Sequence, residues 1–188
     1  MSPLPRRVSK TSIAPIVAAT TTLAGVGLVL SWIAYSRTRI RHDVPLTAAL
    51  DGELRTHDSA ATGQLAYYVG GPANPRGKQP PILLIHSVNA AASSFEMRPL
   101  FDRLIQTRRV YALDLPGFGF SERNDRAYTP DLMRDAILAM INGPLKGATV
   151  DAVGLSLGCE FLALAAEAQP KSFRRLAFLS PTGFGRRA

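Results

Sequence analysis

Residues 150–153, Val-Asp-Ala-Val, lead directly into Gly154-Leu155-Ser156-Leu157-Gly158, and residues 157–168 then read as a helix that stops before Pro170. A chain that leaves a buried strand and enters a helix within so few residues must turn sharply. Glycines on both sides of the turning residue relieve the contacts that such a turn forces on neighbouring backbone. The pattern therefore commits this part of the chain to a strand–turn–helix unit. A serine at the apex has two readings: its hydroxyl is presented for attack on a substrate, or it caps an ordinary helix in a parallel sheet. The segments around it have to decide.

Upstream, the same alternation recurs. Residues 42–63 form a polar, irregular connector with a short strand at 53–57, and residues 64–69 read as a strand. After a Gly/Pro-rich loop over 70–81 comes Ile82-Leu83-Leu84-Ile85, a continuous apolar run bounded by loop residues, as expected of a strand buried on both faces. Pro99 with Leu100, Leu104 and Ile105 gives a short helix, residues 109–113 a strand, and Pro116-Gly117-Phe118-Gly119 a loop. Thr129-Pro130-Asp131 combines a capping hydroxyl, a first-turn proline and a first-turn carboxylate, and Leu132, Ala136, Ala139 and Met140 follow at helical spacing. Residues 149–153 and 176–179 supply the last strands. The expectation is an α/β fold with a mostly parallel sheet and flanking helices.

The N-terminus differs in kind. Residues 13–35 carry no charge, and a helix of that length would cross a hydrocarbon core of roughly 30 Å. Trp32 and Tyr35 stand near its end, and Arg37, Arg39 and Arg41 follow. An uncleaved single-pass transmembrane helix is the expectation; a cleaved signal wants a shorter apolar stretch and a small-x-small cleavage site, and a twin-arginine signal fits poorly after Arg6-Arg7. Three basic residues precede the run and three follow it, so the side on which the remaining chain lies is undetermined. The organisation expected is a basic tail (1–12), a membrane helix (13–35), a linker (36–50) and a folded domain (51–188). The net charge of +8 arises mostly at this N-terminus, because residues 43–188 hold 16 basic and 14 acidic side chains. That near-balance argues against a nucleic-acid surface. Cys159, the one cysteine, reads as a buried small hydrophobe.

Three segments, in order, resemble the α/β-hydrolase family over roughly residues 50–184. Ile82-Leu83-Leu84-Ile85-His86-Ser87 looks like that family's third strand entering its oxyanion loop. Asp114-Leu115-Pro116-Gly117-Phe118-Gly119-Phe120-Ser121 is close to its Asp-x-Pro-Gly-x-Gly-x-Ser loop, and Gly154 to Gly158 matches its nucleophile elbow. The resemblance implies Ser156 as nucleophile, the backbone N–H groups of Val88 and Leu157 as oxyanion donors, and Gly154 and Gly158 as the elbow glycines. His86, Ser87, Asp114, Gly117 and Gly119 would be site-shaping loop residues. Ser87 departs from the pattern, which usually has glycine there. Serine at position 156 argues for acyl transfer to water from a small ester-like substrate, with no metal or cofactor implied.

The family order continues with an acid and then a histidine. After Ser156 the carboxylates are Glu160 and Glu167, both on the departing helix, and the histidines of the chain, His42, His57 and His86, all precede it. A catalytic acid and base are thus absent from this sequence, and a serine without its base retains little catalysis. The expectation is the N-terminal portion of a truncated, membrane-anchored, single-pass serine hydrolase; the alternative is a non-catalytic membrane-anchored binding or assembly module built on part of that fold. Its oligomeric state is open.

Overall fold

The computed structural model describes residues 14–39, 44–73 and 79–182, with side chains described from Gly25 onward in the first stretch. The chain divides into two compact units, Met1–Pro45 and Leu46–Ala188.

Among the described residues the first unit contains one helix, α1 (Ala14–Arg39). Along its described part Val26, Leu28, Val29, Leu30, Trp32 and Ile33 are all exposed, and the Trp32 and Tyr35 rings stack at 6.2 Å. Among the described residues no helix is long and apolar enough to cross a membrane. The spanning helix expected over residues 13–35 is therefore not supported here: the side chains of its first half lie outside the described residues, and the remainder runs into Arg37 and Arg39 in the last turn of α1.

The second unit is built on a six-stranded sheet: β1 (Glu53–Ser59), β2 (Gly63–Gly70), β3 (Ile82–Ile85), β4 (Val110–Asp114), β5 (Val150–Leu155) and β6 (Phe173–Leu179), in the order β1-β2-β4-β3-β5-β6. β1 pairs antiparallel with β2, and β2 with β4; the β4-β3, β3-β5 and β5-β6 pairs are parallel. The helices between parallel strands are α2 (Arg98–Leu104), α3 (Pro130–Asn142) and α4 (Gly158–Ala168). Local signals account for the starts of two of them. The Thr129 hydroxyl accepts from the Leu132 N–H at 3.2 Å to cap α3, with Pro130 in its first turn, and Pro99 occupies the first turn of α2.

Side-chain alternation divides the core between the two faces of the sheet. Leu65, Tyr67, Val69, Leu83, Ile85 and Leu113 pack with α3 and α4 through Met133, Ile137, Met140, Ile141, Phe161 and Leu162. Tyr68, Ile82, Leu84, Val110 and Ala112 face the other way, onto Met97 and Phe101. Each fully buried Leu, Ile or Phe contributes about 1.5–3 kcal/mol, so both layers are needed to hold the central strands. Leu50 belongs to the second cluster, and the Ala49 N–H donates to the Tyr68 hydroxyl at 2.9 Å, so the chain just before β1 is packed onto the sheet. β1 and β6 are the edge strands, and on β6 Leu176 and Leu179 are about 40% exposed.

Candidate active site

The sheet order itself indicates where a site belongs. β3 and β5 are neighbours, yet the connection leaving β3 runs through α2 to β4 on one side, while that leaving β5 runs through α4 to β6 on the other. Where successive connections diverge in this way, a crevice opens beyond the carboxyl ends of the strands. Those ends carry His86-Ser87-Val88 after β3 and Ser156-Leu157 after β5.

At the second of these ends Ser156 sits at φ 53°, in the left-handed region that costs a non-glycine residue about 1–2 kcal/mol. The surrounding backbone holds it there: its N–H donates to the Leu179 carbonyl at 2.9 Å, and its own carbonyl accepts from the Cys159 N–H at 3.1 Å. Gly158 permits the turn, because a Cβ at that position would collide with the His86 carbonyl and press on Ile85. A Cβ on Gly154 would meet the backbone of Cys159 and Gly158 at 3.0–3.1 Å. α4 thereby starts hard against the end of β3. Cys159 is buried, its thiol directed at the Gly154 carbonyl at 3.1 Å, and burial pushes its pKa up, away from a reactive thiolate.

At the end of β3 the polar side chains are engaged. His86 is buried with both ring nitrogens in use: Nε2 accepts from the Leu115 N–H at 2.9 Å, which leaves the proton on Nδ1, facing the Ser87 carbonyl at 2.5 Å. Phe118 packs edge-on against the ring at 5.4 Å. Burial holds the imidazole below the usual histidine pKa, against the opposing pull of its Ser87 bond and of Asp114 and Glu96. A neutral ring with both nitrogens occupied is poorly placed to take a proton from Ser156. Ser87 donates to Glu96 twice over, from its N–H at 3.0 Å and from its hydroxyl at 2.7 Å. Asn89 Nδ2 bridges the same pair, 2.9 Å from the Ser87 hydroxyl and 2.8 Å from Glu96. Glu96 stands on a 3-10 turn, Ser94–Met97, that the sequence reading missed; its N-cap is Ser93, whose hydroxyl accepts from the Phe95 N–H.

The loop after β4 forms a further wall. Asp114 is fully buried and its carboxylate is spent on backbone, accepting from the Ser94 N–H at 2.8 Å and the Phe120 N–H at 3.0 Å. Its own carbonyl accepts from the Ser121 hydroxyl. Gly119, at φ 50°, lies where any Cβ would strike the Asp114 carboxylate. Gly117, at φ 85°, lies against the Tyr128 ring. Asp114 is thus a loop-closing residue in this geometry, remote in function from any orienting of an imidazole.

These loops border an open cleft of about 490 Å³ lined by Val88, Gly117, Phe118, Arg123, Tyr128, Pro130, Met133, Leu157, Glu160 and Phe161. Val88 and Leu157 arrive from different strands and meet at this one space. Among the described residues neither the Val88 N–H nor the Leu157 N–H has a protein acceptor, and the Ser156 hydroxyl has no side-chain partner. Backbone donors on two residues that line one cavity, one of them next in the chain to Ser156, suit an oxyanion. Of the histidines, His57 lies against Gly143 at the end of α3, and His42 lies outside the described residues. Among the described residues no cluster of His, Cys, Asp and Glu could hold a metal ion. Glu96 and Asn89 escaped the sequence reading because neither lies in a motif; the signal that could have found them is a serine with two donors at position 87, which needs an acceptor when buried.

A family model described as the Alpha/beta hydrolase family matches residues 82–188. The 2-hydroxymuconate semialdehyde hydrolase of Pseudomonas sp. (strain CF600) is 30% identical over 105 residues, which is 55% of this chain and 37% of that protein. A serine hydrolase involved in carbazole degradation superposes with a TM-score of 0.60 at 24% identity, over 70% of this chain and 50% of its own. A hydrolase from Pseudomonas aeruginosa gives 0.62 at 22%, over 72% and 49%. A membrane phospholipase A described as a bacterial virulence factor gives 0.62 at 23%, over 94% and 54%. At these identities the structural likenesses establish the fold. The chain spans about half the length of these solved structures and 37% of the curated relative.

Proposed function

The chain belongs to the alpha/beta hydrolase family, and from that premise we propose that it carries the nucleophile and oxyanion site of a serine hydrolase acting on a small, largely apolar acyl compound. The observation that carries this reading is the meeting of Val88 and Leu157, whose N–H groups have no acceptor among the described residues, at one cavity, with Leu157 following Ser156 in the chain. The Ser156 oxygen attacks the substrate carbonyl carbon, the carbonyl π electrons move onto oxygen, and the two N–H groups take the resulting oxyanion. Collapse expels the leaving group and leaves an acyl-serine for water to cleave. Phe118, Met133 and Phe161 favour an apolar acyl group in a space of about 490 Å³. The Ser156 proton passes to a base other than His86, whose nitrogens are occupied, and from that base to the leaving group. The exposed apolar residues of α1, its stacked Trp32 and Tyr35, and Arg37 and Arg39 beyond them support a membrane anchor for the protein. The non-catalytic alternative keeps one supporting observation, the lack of any side-chain partner on the Ser156 hydroxyl among the described residues.

An alkyl fluorophosphonate with added imidazole separates the two readings. Imidazole supplies the base: it takes the Ser156 proton as the serine oxygen bonds to phosphorus and fluoride departs. Imidazole-dependent labelling that is abolished in Ser156→Ala, and faster for an alkyl than for a polyether probe, is the expected result. Labelling that persists in Ser156→Ala would rule out Ser156 as the nucleophile, and none at any imidazole concentration would support the binding module. The protein's retention in the membrane fraction after an alkaline wash tests the anchor in the same preparation; its release into the supernatant refutes it.

A further inference from the structure

We propose that Glu96 is the positioning residue of the oxyanion site, fixing the direction of the Val88 N–H through Ser87. This rests on the reading of Val88 as an oxyanion donor.

A peptide unit is planar, and in the trans form its N–H points opposite to its C=O. The described residues contain no cis peptide bond. The Val88 N–H therefore points opposite to the Ser87 carbonyl. The His86 Nδ1–H bond to that carbonyl sets its direction, and Glu96, by holding the Ser87 N–H and hydroxyl, fixes the residue about which that plane would otherwise turn. Asn89 closes the far side of the loop: its Nδ2 reaches both Ser87 and Glu96, while its Oδ1 accepts from the Ala91 N–H at 2.9 Å. Val88 is thus bracketed by two residues bound to one carboxylate. Burial works against the charge of Glu96, but the Ser87 and Asn89 hydrogen bonds outweigh it and hold its carboxyl below the usual range. The carboxylate is accordingly an ionised, multi-acceptor anchor. A loop held only by backbone would leave the Val88 plane free to rock, and an oxyanion donor must be aligned before the charge develops.

The test uses the ¹⁵N-labelled full chain in detergent micelles with 1-hexylboronic acid. The Ser156 oxygen donates its electron pair to the empty orbital of boron and its proton goes to solvent, which leaves a tetrahedral anion resembling the oxyanion intermediate. In the wild type the Val88 and Leu157 amide resonances both shift. In Glu96→Ala the Leu157 shift persists, the Val88 shift is lost, and affinity for the boronic acid falls roughly tenfold, as expected for one hydrogen bond to a charged oxygen. Glu96→Gln retains an acceptor for Ser87 and restores most of the Val88 response. A Glu96→Ala protein that keeps the Val88 shift overturns the positioning role alone. A wild type in which neither amide moves overturns the reading of the site, and the role assigned to Glu96 with it.

Discussion

The two turns that face the cavity are held in opposite ways. The turn after β5 is fixed by what its side chains lack: Gly154 and Gly158 let backbone pack on backbone, and Ser156 is strained at φ 53° with nothing bonded to its hydroxyl among the described residues. The loop after β3 is fixed by what its side chains supply, with His86, Ser87, Asn89 and Glu96 all hydrogen-bonded to one another or to nearby backbone. One turn is a backbone device and the other a polar network. The first tolerates no added atom, whereas the second depends on protonation states. Perturbations should therefore separate them.

The largest effect is expected from adding one methyl group to the backbone device. In Gly158→Ala the new Cβ meets the His86 carbonyl, a backbone atom that can yield only if α4 moves off β3. Overpacking of this kind costs about 3 kcal/mol, read as a lower urea midpoint at unchanged slope. A loss below about 1 kcal/mol would mean that α4 and β3 are not in rigid contact, and the contrast between the two turns would fail.

This asymmetry also explains what the sequence disclosed. Glycine spacing between an apolar run and a helical pattern states backbone geometry, so the strand–turn–helix unit was legible once the segments around Gly154 to Gly158 were read with it, and the apolar run at residues 82–85 announced a strand buried on both faces that the structure places between β4 and β5. The parallel strands with helices on both faces followed from alternation of apolar runs. The polar network was illegible because Ser87, Asn89 and Glu96 each have the composition of an ordinary loop residue, and their partnership exists only once the 3-10 turn at Ser94–Met97 folds the chain back. The antiparallel entry of β2 beside β4 was equally hidden, since a strand's neighbours are chosen by the whole sheet.

Acid should act on the network and spare the elbow. Burial foremost depresses the His86 pKa below its unfolded value of about 6.5, although Asp114 and Glu96 pull the other way. Between the folded and unfolded pKa values the unfolded chain carries the extra proton and the folded chain does not. The contribution of neutral His86 is therefore complete above about pH 6.5 and is lost as pH falls toward the folded value, by up to about 1.4 kcal/mol per pH unit. Denaturant melts from pH 7.5 to 5.5 should show that decline. His86→Asn keeps a donor toward the Ser87 carbonyl but cannot titrate, so its curve should be flatter than the wild type's. An equally steep curve would place the proton elsewhere.

The smallest effect runs in the opposite direction and concerns the serine itself. Ser156 is strained at φ 53° while its hydroxyl has no side-chain partner among the described residues, so the fold gains nothing from the side chain that the geometry presents. Ser156→Gly removes the strain of roughly 1–2 kcal/mol but adds freedom to the unfolded chain worth about 0.5–1 kcal/mol. The net expectation is a gain of about 0.5 kcal/mol, measurable as a raised urea midpoint. By contrast Gly119→Ser, which also places a side chain at positive φ, should destabilise, because its Cβ strikes the Asp114 carboxylate. If Ser156→Gly instead weakened the fold, the hydroxyl would have a structural role, and the turn after β5 would depend on its side chain as the loop after β3 does.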